Sequence, residues 1–394
     1  MALMKLAFLC NNMKSTNGVE RVLSQRLSLL ADSGEYDVYL ITYNQYGAPF
    51  SFPISDKVHY VDLATRYIER CFYHGLYQYF DRFFSRVIYR RSIRRCVYSI
   101  NPDVITCVDI HLADLTTILE LPISATKVVE CHCGLSAYYG DIEKYSPDKR
   151  YKERKIKERL ISVIRKFDKV VVMTDAEKND WKLGDKVVCI PNMLISCLDK
   201  PLDSNIVSRQ VISVGRYAFQ KGYDMLLDAW KIVEKKHQEW SLHIYGSRDG
   251  GIGEYDMLNE KIEQNTLQSV VLHSATNDVY SRYIQSAFYV MSSRYESFGL
   301  VLIEAMSCGL PIISFDCKFG PSSIVKDGET GFLVPQNNVE KLANTICSMI
   351  EDKEMRHRMG TVARLESKRF LPEKIMPLWH DFYKSLEKVR SIGS

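Results

Sequence analysis

Short apolar runs alternate with helical segments along nearly the whole chain, and this alternation limits the possible folds more than any other feature. The first unit has an apolar run at 5–10, a loop at 11–18, apolar residues at helical spacing over 19–30, and a second apolar run at 37–42. Strands that alternate with helices form parallel sheets joined by right-handed crossovers. The sequence therefore predicts an α/β fold with doubly wound sheets.

The same rhythm predicts the remaining elements. Further strands are expected at 104–107, 127–130, 169–173, 187–190, 210–214, 241–245, 269–272, 288–291 and 311–315. Further helices are expected at 222–235, 257–264, 279–286, 299–308, 339–351 and 354–369. In each of these segments, the spacing of the apolar residues is that of a strand or helix that is half-buried or fully buried.

The alternation stops once, at 196–208, where Pro201, Asp203, Ser204 and Asn205 are typical of a linker. A chain of 394 residues is also too long for one hydrophobic core. We therefore expect two Rossmann-like domains that face a central cleft, over 1–195 and 196–375, followed by a C-terminal helix over 376–394.

Composition indicates an ordinary globular protein, with 46% apolar and 25% charged residues. The leading apolar run, at 3–10, contains Lys5 and is far shorter than the ~18 apolar residues of a spanning helix, so it fits a first strand better than a signal peptide. The eleven cysteines are odd in number and scattered, which favours reduced thiols and a cytoplasmic location. Cys131-His132-Cys133 lacks the spacing and the second ligand pair of a structural zinc site, so no metal is expected.

Positive charge is concentrated in the first half. Residues 1–195 contain 28 Lys and Arg against 23 Asp and Glu, whereas the rest contains 24 against 25. A basic stretch at 82–95 overlaps an aromatic-rich run at 67–84, and a second basic stretch covers 149–169. Basic residues beside exposed aromatics favour an anionic membrane surface. A solvated helix whose aromatics lie in the core explains the pattern equally well. No nucleic-acid partner is expected.

Two loops have the composition of anion-binding turns. Asn17-Gly18-Val19-Glu20 lies between the first strand and a helix, where backbone N–H groups can face a phosphate. Glycine is also common in any tight turn, so this signal is weak alone. The segment at 215–222 follows a strand and carries Arg216 and Lys221 five residues apart. Arg and Lys together can clamp a diphosphate, although two solvated loop cations are an equal alternative.

The segment at 293–311 is the most specific. Glu296 lies in a loop after a strand, and Gly299 begins a helix whose first turn exposes N–H groups to an anion. Glu304 lies farther along this otherwise apolar helix, where a carboxylate is costly without a polar partner. A ribose diol would supply such a partner.

Together these motifs closely resemble the family 4 retaining glycosyltransferases of GT-B fold. The E-x(7)-E pair is Glu296 and Glu304, and the other matches cover essentially the whole chain. They are the G-G-x-E-like loop at 17–20, the S-x-x-E-K-like segment at 174–178, the I-P-N turn at 190–192, the G-R-x(4)-K-G element at 215–222, the E-A-M-x-C-G-x-P run at 304–311, and K-D-G-E-T-G-F-L-V at 326–334.

The resemblance implies a role for each matching side chain. Arg216 and Lys221 would hold the donor diphosphate, and Glu304 would bind the ribose hydroxyls. Glu296 would contact the donor sugar near the reacting carbon, and His132 would lie over that sugar. The candidate catalytic residues are therefore Glu296, His132, Lys221 and Arg216.

Backbone groups complete the implied donor site. The N–H groups of Phe298, Gly299, Leu300 and Val301 would face the sugar and the distal phosphate. Gly18 would let the N-terminal loop approach that phosphate from the opposite domain. The last helix would cross back to the first domain.

Three departures from the family pattern bear on the nucleotide base and the loops around it. Asn17 replaces the usual first glycine, Met193 follows Pro191-Asn192 where glycine is common, and Ser274 stands where many relatives have glycine. These differences affect donor contacts more than the reaction class.

The family resemblance implies a retaining transfer of a hexose or N-acetylhexosamine from a nucleotide sugar, with a UDP-sugar favoured, to a glycan or lipid-linked acceptor in cell-surface polysaccharide synthesis. No D-x-D motif occurs, which fits a site where fixed cations replace a divalent ion, and no cofactor is expected. The chain would act in the cytoplasm, including the inner membrane face. Three alternatives remain open: a nucleotide-sugar 2-epimerase, a pyridoxal-dependent phosphorylase, and a non-catalytic sugar-nucleotide-binding protein.

Overall fold

Two parallel sheets dominate the structure, a computed structural model that describes residues 3–65, 77–108, 112–132, 146–194, 208–248, 251 and 253–392. One sheet has seven strands and the other has six, and every strand pair is parallel. The predicted architecture of two doubly wound sheets is confirmed.

The first sheet has the strand order β3-β2-β1-β4-β5-β6-β7. Its strands are β1 (Met4–Cys10), β2 (Tyr36–Thr42), β3 (His59–Asp62), β4 (Val104–Cys107), β5 (Thr126–Glu130), β6 (Lys169–Val172) and β7 (Val187–Cys189). The helices of this half are α1 (Gly18–Asp32), α2 (Tyr77–Ile100), α3 (Leu112–Leu119), α4 (Pro147–Ile164) and α5 (Asp175–Trp181), followed by a 3-10 turn at Gly184–Lys186.

The second sheet repeats this order as β10-β9-β8-β11-β12-β13. Its strands are β8 (Gln210–Val214), β9 (Ser241–Gly246), β10 (Val270–Ser274), β11 (Phe288–Met291), β12 (Ile312–Phe315) and β13 (Gly331–Val334). The helices are α6 (Tyr223–Lys236), α7 (Glu254–Gln264), α8 (Val279–Ile284), α9 (Leu300–Ser307), α10 (Pro321–Ile324), α11 (Val339–Glu351), α12 (Lys353–Ser367) and α13 (Pro372–Ile392), with 3-10 turns at Phe219–Lys221 and Lys368–Phe370.

The strand order explains where ligands can bind. In each sheet the order of the strands reverses beside the first strand, because β1 lies between β2 and β4, and β8 lies between β9 and β11. In open α/β sheets, ligands bind at such a switch point, outside the carboxyl ends of the strands. The loops that follow β1 and β8 are the ones singled out in the sequence, so the topology brings both to ligand-binding edges.

Buried apolar strands form the centre of each sheet. Every residue of β4, β11 and β12 is buried. Parallel sheets are covered by helices on both faces, so their strands are continuous apolar runs rather than alternating ones. This property made most strands recognisable in the sequence.

The last helix, α13, packs against the first sheet. Its residues Trp379 and Tyr383 are buried, and the Tyr383 ring lies 5.6 Å from that of Tyr36 on β2. The Tyr36 hydroxyl also lies 3.0 Å from Nδ1 of His380. One apolar cluster therefore includes side chains from the first sheet, from α9 and from α13.

The sequence-based prediction missed two strands, β3 and β13. Strand β3 has four residues, all exposed or partly exposed, and forms the edge of its sheet, so it lacks a buried apolar run. Strand β13 begins at Gly331, and glycine is unfavourable in strands. The predicted domain boundary at 195 lies outside the described residues. So does the predicted linker at 196–208, except for its last residue.

None of the described helices is both long enough and apolar enough to span a membrane. The eight described cysteines are free thiols, and seven of them are buried. Cys71, Cys133 and Cys197 lie outside the described residues, as do Tyr67, Phe72 and Tyr73 of the aromatic run.

Candidate functional site

A cavity of about 980 Å³ lies between the carboxyl edges of the two sheets. One wall comes from the first half of the chain and includes residues 14–19, Arg21 and His132. The other wall includes residues 214–216 and 295–301. All ten predicted site residues line this cavity: Gly18, His132, Arg216, Lys221, Glu296, Phe298, Gly299, Leu300, Val301 and Glu304.

Glycine at position 18 permits a close approach between the two walls. A Cβ on Gly18 would lie 2.9 Å from Cδ1 of Leu300, the first residue of α9. Real Cβ atoms essentially never lie this close to another atom, so a larger residue at position 18 would require the Leu300 side chain to shift. The loop after β1 therefore reaches the N-terminus of α9.

The loop after β8 brings two cations to the cavity. Arg216 is exposed and lines the cavity, whereas Lys221 ends a 3-10 turn. Gly222 follows with a φ of 61°, and a Cβ there would lie 2.2 Å from the Ser292 carbonyl oxygen. Only glycine tolerates both the positive φ and the close approach of the Ser292 carbonyl oxygen. This close contact sets Lys221 against the loop that carries Glu296.

Lys221 and Glu296 form an ion pair in this structure. The Lys221 Nζ donates to Glu296 Oε1 at 2.6 Å, and the Ser293 hydroxyl donates to the same oxygen at 2.8 Å. Glu296 is 8% exposed. The cation expected at the diphosphate and the carboxylate expected at the sugar thus lie side by side, as they would on adjacent parts of one ligand.

Arg294 joins the two loops that carry this pair. Its Nη1 donates to the Phe219 carbonyl oxygen at 2.7 Å, and its guanidinium pairs with both carboxylate oxygens of Asp224 at 2.9 and 2.6 Å. Burial alone would raise the pKa of Asp224, but Arg294 holds that pKa below its ordinary value. Bidentate pairs of this kind fix geometry as well as charge.

Glu304 is a buried carboxylate with a partner from each half of the chain. Arg21 on α1 donates from Nη1 to Oε1 at 2.8 Å, and the Tyr283 hydroxyl donates to Oε2 at 3.4 Å. Burial raises the pKa of Glu304, while Arg21 and Tyr283 oppose that rise. The expectation that this carboxylate has polar partners is met, because a cation from the other half of the chain contacts it.

The N-terminus of α9 faces the cavity. Gly299 caps this helix with a φ of 95°, a conformation that favours glycine, and Leu300 and Val301 form its first turn. The Phe298 side chain is buried and its ring lies 5.5 Å from that of Phe370. Phe298 therefore anchors the turn in the core, so its backbone rather than its side chain is the part that can meet a ligand.

His132 lies just beyond the end of β5. Its Nε2 lies 3.1 Å from Glu130 Oε2, and 10% of its side chain is exposed. Glu130 is fully buried and also pairs with Arg26, whose Nη2 lies 2.8 and 2.9 Å from the two carboxylate oxygens. Burial would raise the pKa of Glu130, but Arg26 and His132 lower it below the ordinary value.

Among the described residues, no group of three His, Cys, Asp or Glu side chains is placed to hold a metal ion. Cys131, beside His132, is fully buried, and Cys133 falls in the segment that the structure does not describe. Ser274, one of the departures from the family pattern, is exposed at the end of β10, and the next two residues, Ala275 and Thr276, line the cavity in its place.

Several residues that act on this site escaped the sequence-based prediction. Arg21 pairs with Glu304, 283 residues away, and Arg26 pairs with Glu130, 104 residues away. No spacing rule in the sequence connects these partners. One signal was available, because Glu130 ends an apolar strand, where a carboxylate is costly unless it is paired. Arg21 also lies three residues after Gly18, on the first turn of the helix that follows the loop.

Comparison with known proteins gives an independent view of the chain. Residues 199–366 match the family described as glycosyl transferases group 1. An uncharacterized glycosyltransferase of Haemophilus influenzae is 34% identical over 232 residues, which cover 56% of this chain and 64% of that protein. The amylovoran biosynthesis glycosyltransferase of Erwinia amylovora is 28% identical over 386 residues, which cover 96% of this chain and 99% of that protein.

Solved structures share the fold over nearly the full length. Sucrose-phosphate synthase from Thermosynechococcus elongatus superposes with a TM-score of 0.78 at 18% identity, covering 98% of this chain and 100% of that one. The HepE protein of Anabaena, solved in complex with UDP and glucose, superposes with a TM-score of 0.67 at 17% identity over 98% and 100% of the two chains. The two facing parallel sheets therefore have the GT-B arrangement.

Proposed function

We propose that this chain, a glycosyltransferase of GT-B fold whose residues 199–366 match the group 1 family, is a family 4 retaining enzyme that transfers a hexose or N-acetylhexosamine from a nucleoside-diphosphate sugar. The favoured donor is a UDP-sugar. The acceptor is a glycan or a lipid-linked glycan in cell-surface polysaccharide synthesis.

The main support for this function is the set of charged side chains on one wall of the cavity. Arg216, Lys221, Glu296 and Glu304 all line it, beside the N-terminus of α9. A sugar nucleotide presents a ribose diol, a diphosphate and a sugar in that order. The four side chains and the helix supply acceptors for the hydroxyls at both ends and cations for the charge between them.

Glu304 is the proposed ribose acceptor. A carboxylate has about four lone-pair sites, and the two hydrogen bonds from Arg21 and Tyr283 leave sites for a diol. Because Glu304 is only 4% exposed, any hydroxyl that reaches it must enter the cavity rather than approach from bulk solvent.

Arg216, Lys221 and the N-terminus of α9 are the proposed site for the diphosphate. Departure of a nucleoside diphosphate places negative charge on the phosphate oxygens, and fixed cations and backbone N–H groups stabilise that charge in the transition state. These groups supply the charge that a divalent ion would otherwise supply, so we propose that the reaction needs no metal. Lys221, released from Glu296, would turn to the phosphate.

Glu296 and His132 are proposed to contact the donor sugar from opposite walls. Positive character develops at the anomeric carbon as the diphosphate leaves, so a carboxylate at this end of the site is favourable. Retention would follow if the acceptor hydroxyl attacks from the face that the diphosphate occupies. We assign no covalent nucleophile.

The relatives support the donor and pathway. The HepE structure contains UDP and glucose, and the Erwinia amylovora relative is named for amylovoran biosynthesis. A poly(glycerol-phosphate) alpha-glucosyltransferase of Bacillus subtilis is 27% identical over 65% of this chain and 38% of its own length. The UDP in the HepE structure favours a UDP-sugar donor, and the names of the other two proteins favour an acceptor in polymer biosynthesis.

An exposed stripe on α2 supports membrane contact. Phe84, Ile88, Arg91, Arg95 and Tyr98 recur at intervals of four and three residues, so they share one face of the helix, and all five are exposed. The three apolar side chains are between 48% and 58% exposed. Apolar and basic residues on one helix face bind anionic lipid surfaces, so we propose that α2 contacts the inner membrane surface.

A donor screen tests the proposal. The protein is incubated with a panel of UDP-sugars and GDP-sugars, and released nucleoside diphosphate is measured before and after EDTA treatment. We expect release from at least one UDP-sugar, unchanged by EDTA. Release that EDTA abolishes and Mg²⁺ restores would contradict the metal-free site. Conversion of the donor to an epimer, or tight binding without release, would instead favour an epimerase or a binding protein.

A further inference from the structure

A buried carboxylate lies directly behind the histidine of the cavity wall. Glu130 is the last residue of β5 and its side chain is fully buried, whereas His132, two residues later, lines the cavity. The Glu130 Oε2 atom lies 3.1 Å from His132 Nε2, which is hydrogen-bonding distance. His132 is therefore held from behind by a group that no ligand can reach.

Arg26 makes this buried carboxylate possible. Its Nη2 donates to both Glu130 oxygens, at 2.8 and 2.9 Å, and the Arg26 side chain is itself only 2% exposed. An unpaired buried charge would be costly, and a buried pair is tolerated only with good geometry and further hydrogen bonds. His132 supplies the further hydrogen bond, so the three side chains form one connected network.

Aromatic rings in turn hold Arg26. Its guanidinium carbon lies 4.0 Å from the centre of the Trp379 ring on α13 and 5.4 Å from that of Phe8 on β1. Arginine stacks on aromatic faces in this way, and the contact restrains an otherwise flexible side chain. The last helix thus supports the cavity wall through Arg26 and Glu130, although it contributes none of the described residues that line the cavity.

The network has a consequence for the proton on His132. An ionised carboxylate can only accept hydrogen bonds, so the imidazole nitrogen that faces it must carry a hydrogen. That nitrogen is Nε2. In the neutral ring Nδ1 is then the acceptor, and both the tautomer and the ring orientation are set by Glu130.

We propose that Glu130 is the positioning residue of His132, fixing its Nε2-protonated tautomer so that Nδ1 can accept a hydrogen bond from a hydroxyl of the donor sugar. Arg26 and Trp379 hold Glu130 in place. This inference rests on the proposed function, in which His132 lies over that sugar, and it adds a residue outside the cavity to the reaction.

The substitution Glu130→Gln tests the tautomer. The amide oxygen of the new side chain would accept from Arg26, which has no other counter-group in this network, so the amide nitrogen would face His132. An amide nitrogen donates, so Nε2 would have to accept and the proton would move to Nδ1. The variant keeps the shape of the side chain and inverts the hydrogen bond.

Imidazole ¹⁵N and ¹³C NMR reports the tautomer without substrate. The His132 signal is assigned by its loss in His132→Gln. We expect Nε2–H in the wild type and Nδ1–H in Glu130→Gln. Glu177→Gln is the matched control, because Glu177 is another buried carboxylate that does not line the cavity, and it should leave the His132 tautomer unchanged.

Kinetics on the donor identified by the screen reports the consequence. We expect kcat to fall by at least about tenfold in Glu130→Gln, while the donor KM changes by less than about threefold, because the lost interaction concerns the transition state. In a His132→Gln background the same substitution should cause no further loss, because Glu130 acts through His132. A merely structural role would lower activity by the same factor in both backgrounds.

Glu130→Asp covers the case in which Glu130→Gln fails to fold. It keeps the charge that Arg26 requires but withdraws the carboxylate by one methylene, and we expect the same fall in kcat. A folded Glu130→Gln variant that keeps Nε2–H overturns the positioning role, and so does a folded variant of either kind that keeps kcat within about twofold of wild type. A wild type that turns over no sugar nucleotide overturns the proposed function instead, and the tautomer measurement still decides whether Glu130 sets His132.

Discussion

Arg21 and Glu304 join the two halves of the chain across the cavity, with Arg21 Nη1 lying 2.8 Å from Glu304 Oε1. The Glu304 side chain is 5% exposed and the Arg21 side chain 26% exposed, so the glutamate end of the pair is buried and the arginine end is partly open to solvent. The cation on α1 therefore helps to keep the proposed ribose acceptor ionised.

Removing that cation should make donor binding more sensitive to acid. Burial already raises the pKa of Glu304, and Arg21→Ala removes the charge that opposes the rise, so this pKa increases further. As pH falls through the pKa, the carboxylate gains a proton and loses acceptor capacity. We expect the donor KM to rise by about tenfold near pH 6 and by less at pH 9, measured by nucleoside diphosphate release.

Tyr283→Phe is the control for this prediction, because it removes the longer hydrogen bond to Glu304, at 3.4 Å, and leaves the ion pair intact. Its effect should be smaller. Equal donor KM values for Arg21→Ala and wild type across the pH range would contradict the role of Arg21. Tighter donor binding by the variant would mean that Arg21 competes with the ribose.

Lys221→Ala should abolish turnover while the fold stays intact. The variant removes a fixed cation from the proposed diphosphate site and the 2.6 Å partner of Glu296. Removing one preorganised charge-stabilising group commonly costs about 100-fold or more in kcat. Steady-state release of nucleoside diphosphate measures the loss, and circular dichroism checks the fold.

Lys231→Ala serves as the matched control. Lys231 is a cation of the same half of the chain, lies outside the cavity and bonds to Asn265 at 2.8 Å. It should keep wild-type turnover. Unchanged activity in Lys221→Ala would remove Lys221 from the diphosphate site.

The ten predicted site residues came together because they follow strands. Residues at the carboxyl ends of parallel strands reach one edge of the sheet, so spacing and motif were enough to place Arg216, Lys221 and Glu296 in one cavity. The partners of these residues were not predictable in the same way. Arg21 and Glu304 are 283 residues apart, and their contact depends on how the two sheets face each other.

The edge strands of the sheets were also hard to predict from the sequence. Central strands are recognisable as buried apolar runs, whereas β3 has the sequence His-Tyr-Val-Asp and no buried residue. Its pairing with β2 depends on tertiary context rather than on a pattern of its own.

The aromatic residues of the first half of the chain include both buried and exposed side chains: Tyr89 is buried in the core, while Phe84 is exposed. Composition alone could not separate them.

Glu177 should make stability depend on pH. It is 1% exposed, and its Oε2 accepts from the Met173 N–H at 3.1 Å, while its Oε1 has no partner among the described residues. Burial raises the pKa of Glu177 to about 8. The folded state therefore favours the protonated acid, and stability present below the ordinary pKa is lost as pH rises through about 8.

Glu177→Gln should relieve that loss, because the amide stays neutral and can still accept from Met173. We expect its melting temperature to exceed that of wild type by several degrees at pH 9 and by little at pH 5, as judged by thermal unfolding. Asp185→Asn, which changes an exposed carboxylate nearby, should show no such trend. A difference that does not vary with pH would contradict the assignment.

The stripe on α2 predicts lipid binding. Arg91→Gln with Arg95→Gln removes two exposed cations, each worth about 1 kcal/mol at an anionic surface, so vesicle binding should weaken by about tenfold or more. Arg90 is left unchanged, because it pairs with Glu120 at 2.9 Å. Cosedimentation with vesicles of anionic and of neutral lipid measures the effect.

An equal loss of charge elsewhere is the control for the stripe. Lys353→Gln with Arg358→Gln removes two exposed cations from α12, in the opposite half of the chain. It should leave vesicle binding unchanged. Equal binding by wild type and the α2 variant would favour a solvated helix instead.

The most direct test of a retaining transfer at this cavity is the anomeric configuration of the first sugar released. With an α-linked UDP-sugar and no acceptor, water takes the acceptor's place, and ¹H NMR of the anomeric protons distinguishes the two anomers before they equilibrate. A retaining transferase that works at this cavity should release the α anomer first, and Lys221→Ala should release none. A β anomer formed first, or no sugar released from any donor, would contradict a retaining transfer at this cavity.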